Sequence, residues 1–159
     1  MIKEREEKRK FLHRILEMGI EVIQLPCPEF WLYGSNRWGH AASQFDTPFF
    51  RQQVKKMLGS YVLQWKEYKT YPKRFEILGI VGIDGSPSCG VNYTYDGEWG
   101  GEFSGNPDIG GMLKTIKKEE KSGIMIQVLK EMMREEQIDI PLYSMETLQQ
   151  VLDGKNKKE

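Results

Sequence analysis

Apolar positions recur every three or four residues along three stretches of the chain and crowd together along a fourth, and these rhythms set the expected elements. Phe50, Val54, Met57, Leu58, Tyr61, Val62, Trp65 and Tyr68 share one helical face over about five turns. Asp46-Thr47-Pro48 before them offers an amino cap and a proline suited to the first helical position. Ile124, Val128, Leu129, Met132 and Met133 predict a second helix over residues 123–136. Residues 3–18 predict another, with Phe11, Leu12, Ile15 and Leu16 inward and Gly19 as carboxyl cap. Residues 20–25 are β-branched and short, which predicts a strand halted by Pro26 and Pro28. Phe75 to Ile83 is almost continuously apolar, the pattern of a central strand buried on both faces. Residues 140–143 predict a last short strand, and Ser144 caps a final helix through Leu152.

Between these elements the pattern breaks. Trp31 to Phe45 reads as an aromatic, glycine-containing loop. Residues 93–111 hold six glycines with no periodicity and are expected to form a lid loop. Residues 154–159 form a charged tail expected to fray. Strands alternating with helices call for right-handed crossovers. The expected fold is therefore a single α/β domain over residues 1–159, with a small parallel sheet flanked by helices in a three-layer, Rossmann-like arrangement. Ligands of such sheets bind beyond the carboxyl ends of the strands. Cys27 follows one expected strand end and Cys89 another, so the two thiols are expected to share one site.

At 159 residues the chain suits one domain that needs no disulfides. Its 23 Lys and Arg residues balance 23 Asp and Glu, leaving no basic field to draw it to nucleic acid or anionic membranes. No apolar run nears the roughly 18 residues of a membrane span, and the charged amino terminus lacks a signal core. A soluble, cytoplasmic protein with neither nucleic acid nor membrane as partner is expected. Two cysteines in that compartment are expected to be reduced.

In Asp84-Gly85-Ser86-Pro87-Ser88-Cys89-Gly90, two hydroxyls and free amides would surround a thiol and lower its pKa. That suits an anion, a metal or a nucleophile. An ordinary strand-to-helix turn with a buried cysteine has the same composition, and the residues alone do not choose. Glu29, two residues after Cys27, can serve as general acid or base, or stand as a solvated loop carboxylate. Trp31, Tyr33 and Trp38 can stack on a planar ligand, although packing onto the core is the more frequent use. His40 is read the same way, as packing before ligand or proton shuttle. His13 lies on a charged helix and is expected to be solvated.

Three segments carry a resemblance: Gly19-Ile20-Glu21-Val22-Ile23-Gln24-Leu25-Pro26-Cys27-Pro28-Glu29, Gln44-Phe45-Asp46-Thr47-Pro48, and Gly79-Ile80-Val81-Gly82-Ile83-Asp84-Gly85-Ser86-Pro87-Ser88-Cys89-Gly90-Val91. Together they resemble the thiouracil desulfidase family, in particular its clostridial-type branch. The resemblance implies a 4Fe-4S cluster held by three cysteines, with one iron open to take sulfur from a small thiolated, thiopyrimidine-like substrate. By position Cys27 and Cys89 match two cluster ligands, Glu29 the catalytic carboxylate, and Ser86 the hydroxyl that assists it. Ser88, Gly90, Trp31 and Tyr33 are the expected substrate contacts.

Members of that family begin with a further strand ending in a cysteine, whereas here Met1 opens on the helix that would follow it. The third cysteine is absent from this chain, so three thiolates cannot come from it alone. An upstream segment, a second subunit or loss of the cluster would each account for this. Truncation or loss is favoured over replacement by His40 or Asp84. A sheet without its first strand has an unpaired edge, which predicts homo-oligomers or reduced stability. The residues leave two other readings open: a non-catalytic module binding an anion or small ligand, and a metal-free enzyme with Cys89 as nucleophile and Glu29 as base.

Overall fold

The computed structural model describes residues 2–155, and the charged residues 156–159 of the expected tail lie outside that range. Gly154 and Lys155 belong to the last helix. Among the described residues seven helices and four short strands follow one another as α1 (Ile2–Glu17), α2 (Pro28–Tyr33), α3 (Ala42–Phe45), α4 (Pro48–Thr70), β1 (Ile80–Gly82), β2 (Thr94–Asp96), α5 (Ile109–Thr115), β3 (Lys117–Glu119), α6 (Ile124–Glu135), β4 (Leu142–Ser144) and α7 (Met145–Lys155).

The longest periodic stretch forms the longest helix. Pro48 opens α4, and the cap is Thr47, whose hydroxyl accepts the Phe50 N–H at 3.1 Å. Asp46 instead takes Arg51 in an ion pair at 2.7 Å. Phe50, Val54, Leu58, Val62 and Trp65 face the apolar side of α6, where Ile124, Val128, Leu129, Met132 and Met133 are buried. Phe45, Ile80, Val91, Ile138 and Ile140 complete this core. A smaller cluster joins Phe11 and Ile15 of α1 to Leu152 of α7, and an Arg14–Asp153 ion pair lies beside it. Leu12 and Leu16, expected inward, are exposed, because α1 packs through a single narrow seam.

The sheets are smaller than the apolar pattern implies. β1 and β4 pair in parallel with Ile80 opposite Leu142, and β2 and β3 pair antiparallel with Thr94 opposite Glu119. The fold is therefore mixed α/β, with two two-stranded sheets among the described residues. Residues 20–25 form no strand: β-branched residues favour an extended chain, but a strand also needs a neighbour, and no cross-strand backbone bond among the described residues reaches this segment. The expected burial of Phe75 to Ile83 on both faces is likewise corrected. β1 has β4 on one side only, and Phe75, Leu78, Val81 and Ile83 remain exposed.

Residues 93–111 are not wholly structureless. They contain β2 and the start of α5, which leaves residues 97–108 as loop. Asp96 fixes this hairpin: its carboxylate accepts the N–H groups of Ser43 and Gly97, each at 3.0 Å, and pairs with Lys121 at 2.7 Å. Burial works to raise its pKa, but the Lys121 ammonium and these N–H donors outweigh burial and hold it to about 2. A depressed carboxylate stabilises the fold above its unfolded pKa of 3.8 and loses that contribution as pH falls toward 2. Acid titration of thermal stability should show a loss of about 2 kcal/mol over that window, absent from Asp96→Asn. Identical acid profiles for the two proteins would contradict this. No helix among the described residues is long and apolar enough to cross a membrane.

Candidate functional site

Pro26-Cys27-Pro28 starts a helix where a simple end of strand is expected. Pro28 takes the first position of α2, Cys27 becomes its N-cap, and the Cys27 sulfur accepts the Phe30 N–H at 3.5 Å. One residue into the helix, Glu29 turns toward the loop that follows β1. Its Oε1 accepts the Ser88 hydroxyl at 2.6 Å and the Ser86 hydroxyl at 3.4 Å, while Oε2 accepts the Arg37 Nε–H at 3.2 Å. The Glu29 side chain is only 13% exposed. Glu29 thus joins the start of α2 to the loop after β1, and no contact between the Cys27 and Cys89 sulfurs occurs among the described residues.

The second loop is tied almost entirely to itself. Ser86 Oγ accepts the N–H groups of Ser88 and Cys89 and lies 3.1 Å from the Cys89 sulfur. Ser86 O accepts Gly90 N–H, and Asp84 accepts the N–H groups of Val91 and Asn92, each at 2.9 Å. Gly85 N–H goes to Tyr93 O and Ser86 N–H to Ile83 O. The expected cluster of free amides is thus spent within the protein. The N-terminus of α6 is spent too: Ile124 donates to Pro87 O, and Met125 and Ile126 donate to Ser88 O. Burial tends to raise the Asp84 carboxyl, but its bonds to Asn92 and Val91 prevail and lower it below the ordinary carboxylate value.

Burial pushes the Cys89 thiol up, Glu29 adds to the rise, and the Ser86 hydroxyl opposes it. This reverses the expectation of a lowered thiol pKa, which relied on free amides and an open position. Cys27 is exposed, and both cysteines are free.

The expected substrate contacts scatter. Ser88 is 1% exposed and directed at Glu29. Gly90 is buried with both backbone groups occupied, its N–H on Ser86 O and its C=O taking Gly123 N–H. Tyr33 packs on His40 at 5.0 Å and Phe45 at 5.8 Å, and Trp31 is exposed on α2. His40 sits against Phe45 at 4.7 Å, and its Nδ1 has no partner among the described residues. Burial lowers its pKa, while Glu29 pulls it upward. A shallow cleft of about 500 Å³ lined by Ser43, Gln44, Gly97 to Gly101 and Met112 contains none of the expected site residues.

Arg37 escaped sequence reasoning because it lies in an aperiodic loop. Its one signal is that it is the single cation between Glu29 and Asp46, two carboxylates that flank an otherwise uncharged stretch. No family model and no solved structure match the chain. The chain is 32% identical over 77 residues to an uncharacterized protein of Methanocaldococcus jannaschii, a match covering 48% of this chain and 47% of that protein. It thus spans about half the length of the curated relative it matches.

Proposed function

We propose that this chain carries the carboxylate and hydroxyl half of a desulfidase site, which hydrolyses the carbon–sulfur bond of a small thiolated compound of the thiopyrimidine kind. The observation that supports it most is the meeting of Glu29 with Ser86, the two residues that the motif resemblance assigns to catalysis, across 57 positions of chain. Glu29 holds Arg37 on one oxygen and the serine hydroxyls on the other, so its carboxylate is fixed in orientation. In the proposed reaction water adds to the thiocarbonyl carbon and Glu29 takes its proton. Glu29 returns that proton to the sulfur, and collapse of the adduct breaks the carbon–sulfur bond while the hydroxyl proton passes to solvent, leaving a carbonyl product and hydrosulfide. The Ser86 hydroxyl lies between Glu29 and the Cys89 sulfur and can pass a proton between them.

A 4Fe-4S cluster does not fit the donors present. The chain has two cysteines, and among the described residues no three His, Cys, Asp or Glu side chains gather where they could hold a metal ion. Cys27 and Cys89 would supply at most two thiolates, and a thiolate from outside this chain is required for a three-cysteine cluster. The finer architecture we infer, a three-layer Rossmann-like sheet in a cytoplasmic protein, draws on the parallel β1–β4 pair and the free thiols. The anion-binding reading is weakened by the spent amides and by the carboxylate at the centre. The raised thiol pKa weakens Cys89 as a nucleophile.

The test is release of uracil from 2-thiouracil under anaerobic conditions, before and after incubation with iron, sulfide and an excess of dithiothreitol as external thiolate, each against a protein-free control. Release above the control in either state supports the proposal. Its absence in both, with the protein folded by circular dichroism, rejects it.

A further inference from the structure

Residues 34–39 leave α2 at Gly34, whose φ of 75° is a conformation that glycine adopts without strain, and end at the packed His40 ring. Between these points Ser35, Asn36, Trp38 and Gly39 are exposed, and residues 35–40 take part in no backbone–backbone hydrogen bond among the described residues. Side chains hold the segment instead. At one point Arg37 reaches Glu29 at 3.2 Å, with its Nη1 turned back on Gly34 O at 3.3 Å. At the other, the Trp99 indole N–H donates to Gly39 O at 2.9 Å, and Phe103 packs against Trp38 at 5.9 Å.

We propose that residues 34–39 form a strap over Glu29, latched by the Arg37–Glu29 ion pair and the Trp99–Gly39 hydrogen bond, and that releasing either latch opens it. A segment without a backbone ladder has little local stability of its own, so its closed state depends on these few contacts. The Arg37 latch ends on the carboxylate proposed to act on substrate. Any group that binds the Glu29 carboxylate competes with Arg37, and by reciprocity opening of the strap strengthens that group's binding by the same factor. This last consequence rests on the proposed role of Glu29, whereas the latching itself does not.

Limited trypsin digestion reads the strap directly, because Arg37 supplies a cleavable Arg37–Trp38 bond. The exposed turn at Lys73 and Arg74 supplies a reference in the same molecule. Glu29→Gln and Trp99→Phe should each speed the first cut after Arg37 about fivefold or more relative to the cut at the reference turn, as expected for losing one charge-assisted or one ordinary hydrogen bond. Trp31→Phe, on the exposed face of α2, should leave the ratio unchanged. Urea midpoints of the variants, measured beside the digests, separate opening of the strap from global weakening, and Trp99→Phe decides alone if Glu29→Gln does not fold. Ratios equal to the unmodified protein in every folded variant would overturn the strap. Trypsin needs no thiolated substrate, so failure of the desulfidase proposal leaves this measurement standing.

Discussion

Glu29→Gln lowers uracil release from 2-thiouracil by about 10²–10⁴-fold if the carboxylate is the general base, since the amide cannot accept a proton from water at neutral pH. The substitution keeps an oxygen that can accept the Ser88 hydroxyl now bound at 2.6 Å, so the loop after β1 retains its cross-link to α2. On the other oxygen's side the amide faces the Arg37 guanidinium at the present 3.2 Å position and loses that bond. A rate loss with thermal stability changed by little is therefore the expected combination. Ser88→Ala separates orientation from chemistry: it leaves the base but removes its shortest hydrogen bond, and should cost less than Glu29→Gln. Full uracil release by Glu29→Gln would remove Glu29 from the reaction.

Gly123→Ala should destabilise the fold by about 2–3 kcal/mol, the range expected when a side chain is forced into a filled space. A Cβ at this position would lie 2.5 Å from the Ser88 carbonyl carbon, 2.6 Å from its oxygen and 2.9 Å from Pro87 O, all backbone atoms that cannot rotate aside. The loop and the start of α6 would have to separate, breaking the Gly123 to Gly90 hydrogen bond at 2.9 Å. Gly59→Ala is the matched control. It lies within α4 with nothing inside 4 Å of its added Cβ, and should stabilise by about 0.5–1 kcal/mol through helix propensity. Urea unfolding of the two variants, compared at equal m-values, should move the midpoint in opposite directions. A Gly123→Ala midpoint at or above that of the unmodified protein would contradict the close approach.

The periodic helices were legible because burial enforces their spacing. Val54, Leu58 and Val62 have no exposed alternative once α4 and α6 meet, and the pattern records that contact. The strands were less legible because strand identity depends on a neighbour. Residues 20–25 have the composition of a strand without the partner, whereas Lys117–Glu119 have the partner without the composition, being charged and exposed. α2 was hidden by its prolines: Pro28 removes a donor wherever it stands, and only the structure shows that the position was a helix start.

In the candidate site, Glu29, Ser86 and Cys89 stand out in the sequence as short motifs, since local chain geometry fixes the spacing within each loop. Arg37 and the orientation of Ser88 were not, because their partners lie 8 and 59 positions away with no periodic relation to them. The direction of the Cys89 shift was misjudged for a related reason. Counting donors near a thiol in sequence overlooks whether other acceptors have already taken them.

The grip of α6 on the carbonyls of Pro87 and Ser88 divides the site into two banks of unequal freedom. On one bank, serine hydroxyls and thiol are set by a helix that is itself part of the main core, so their spacing is inherited from packing and resists adjustment. On the other, residues 34–39 carry no such debt. Under the proposed function, engineering a different molecular preference begins with Ser35, Asn36 and Trp38, where side chains can be exchanged while the loop after β1 keeps its shape.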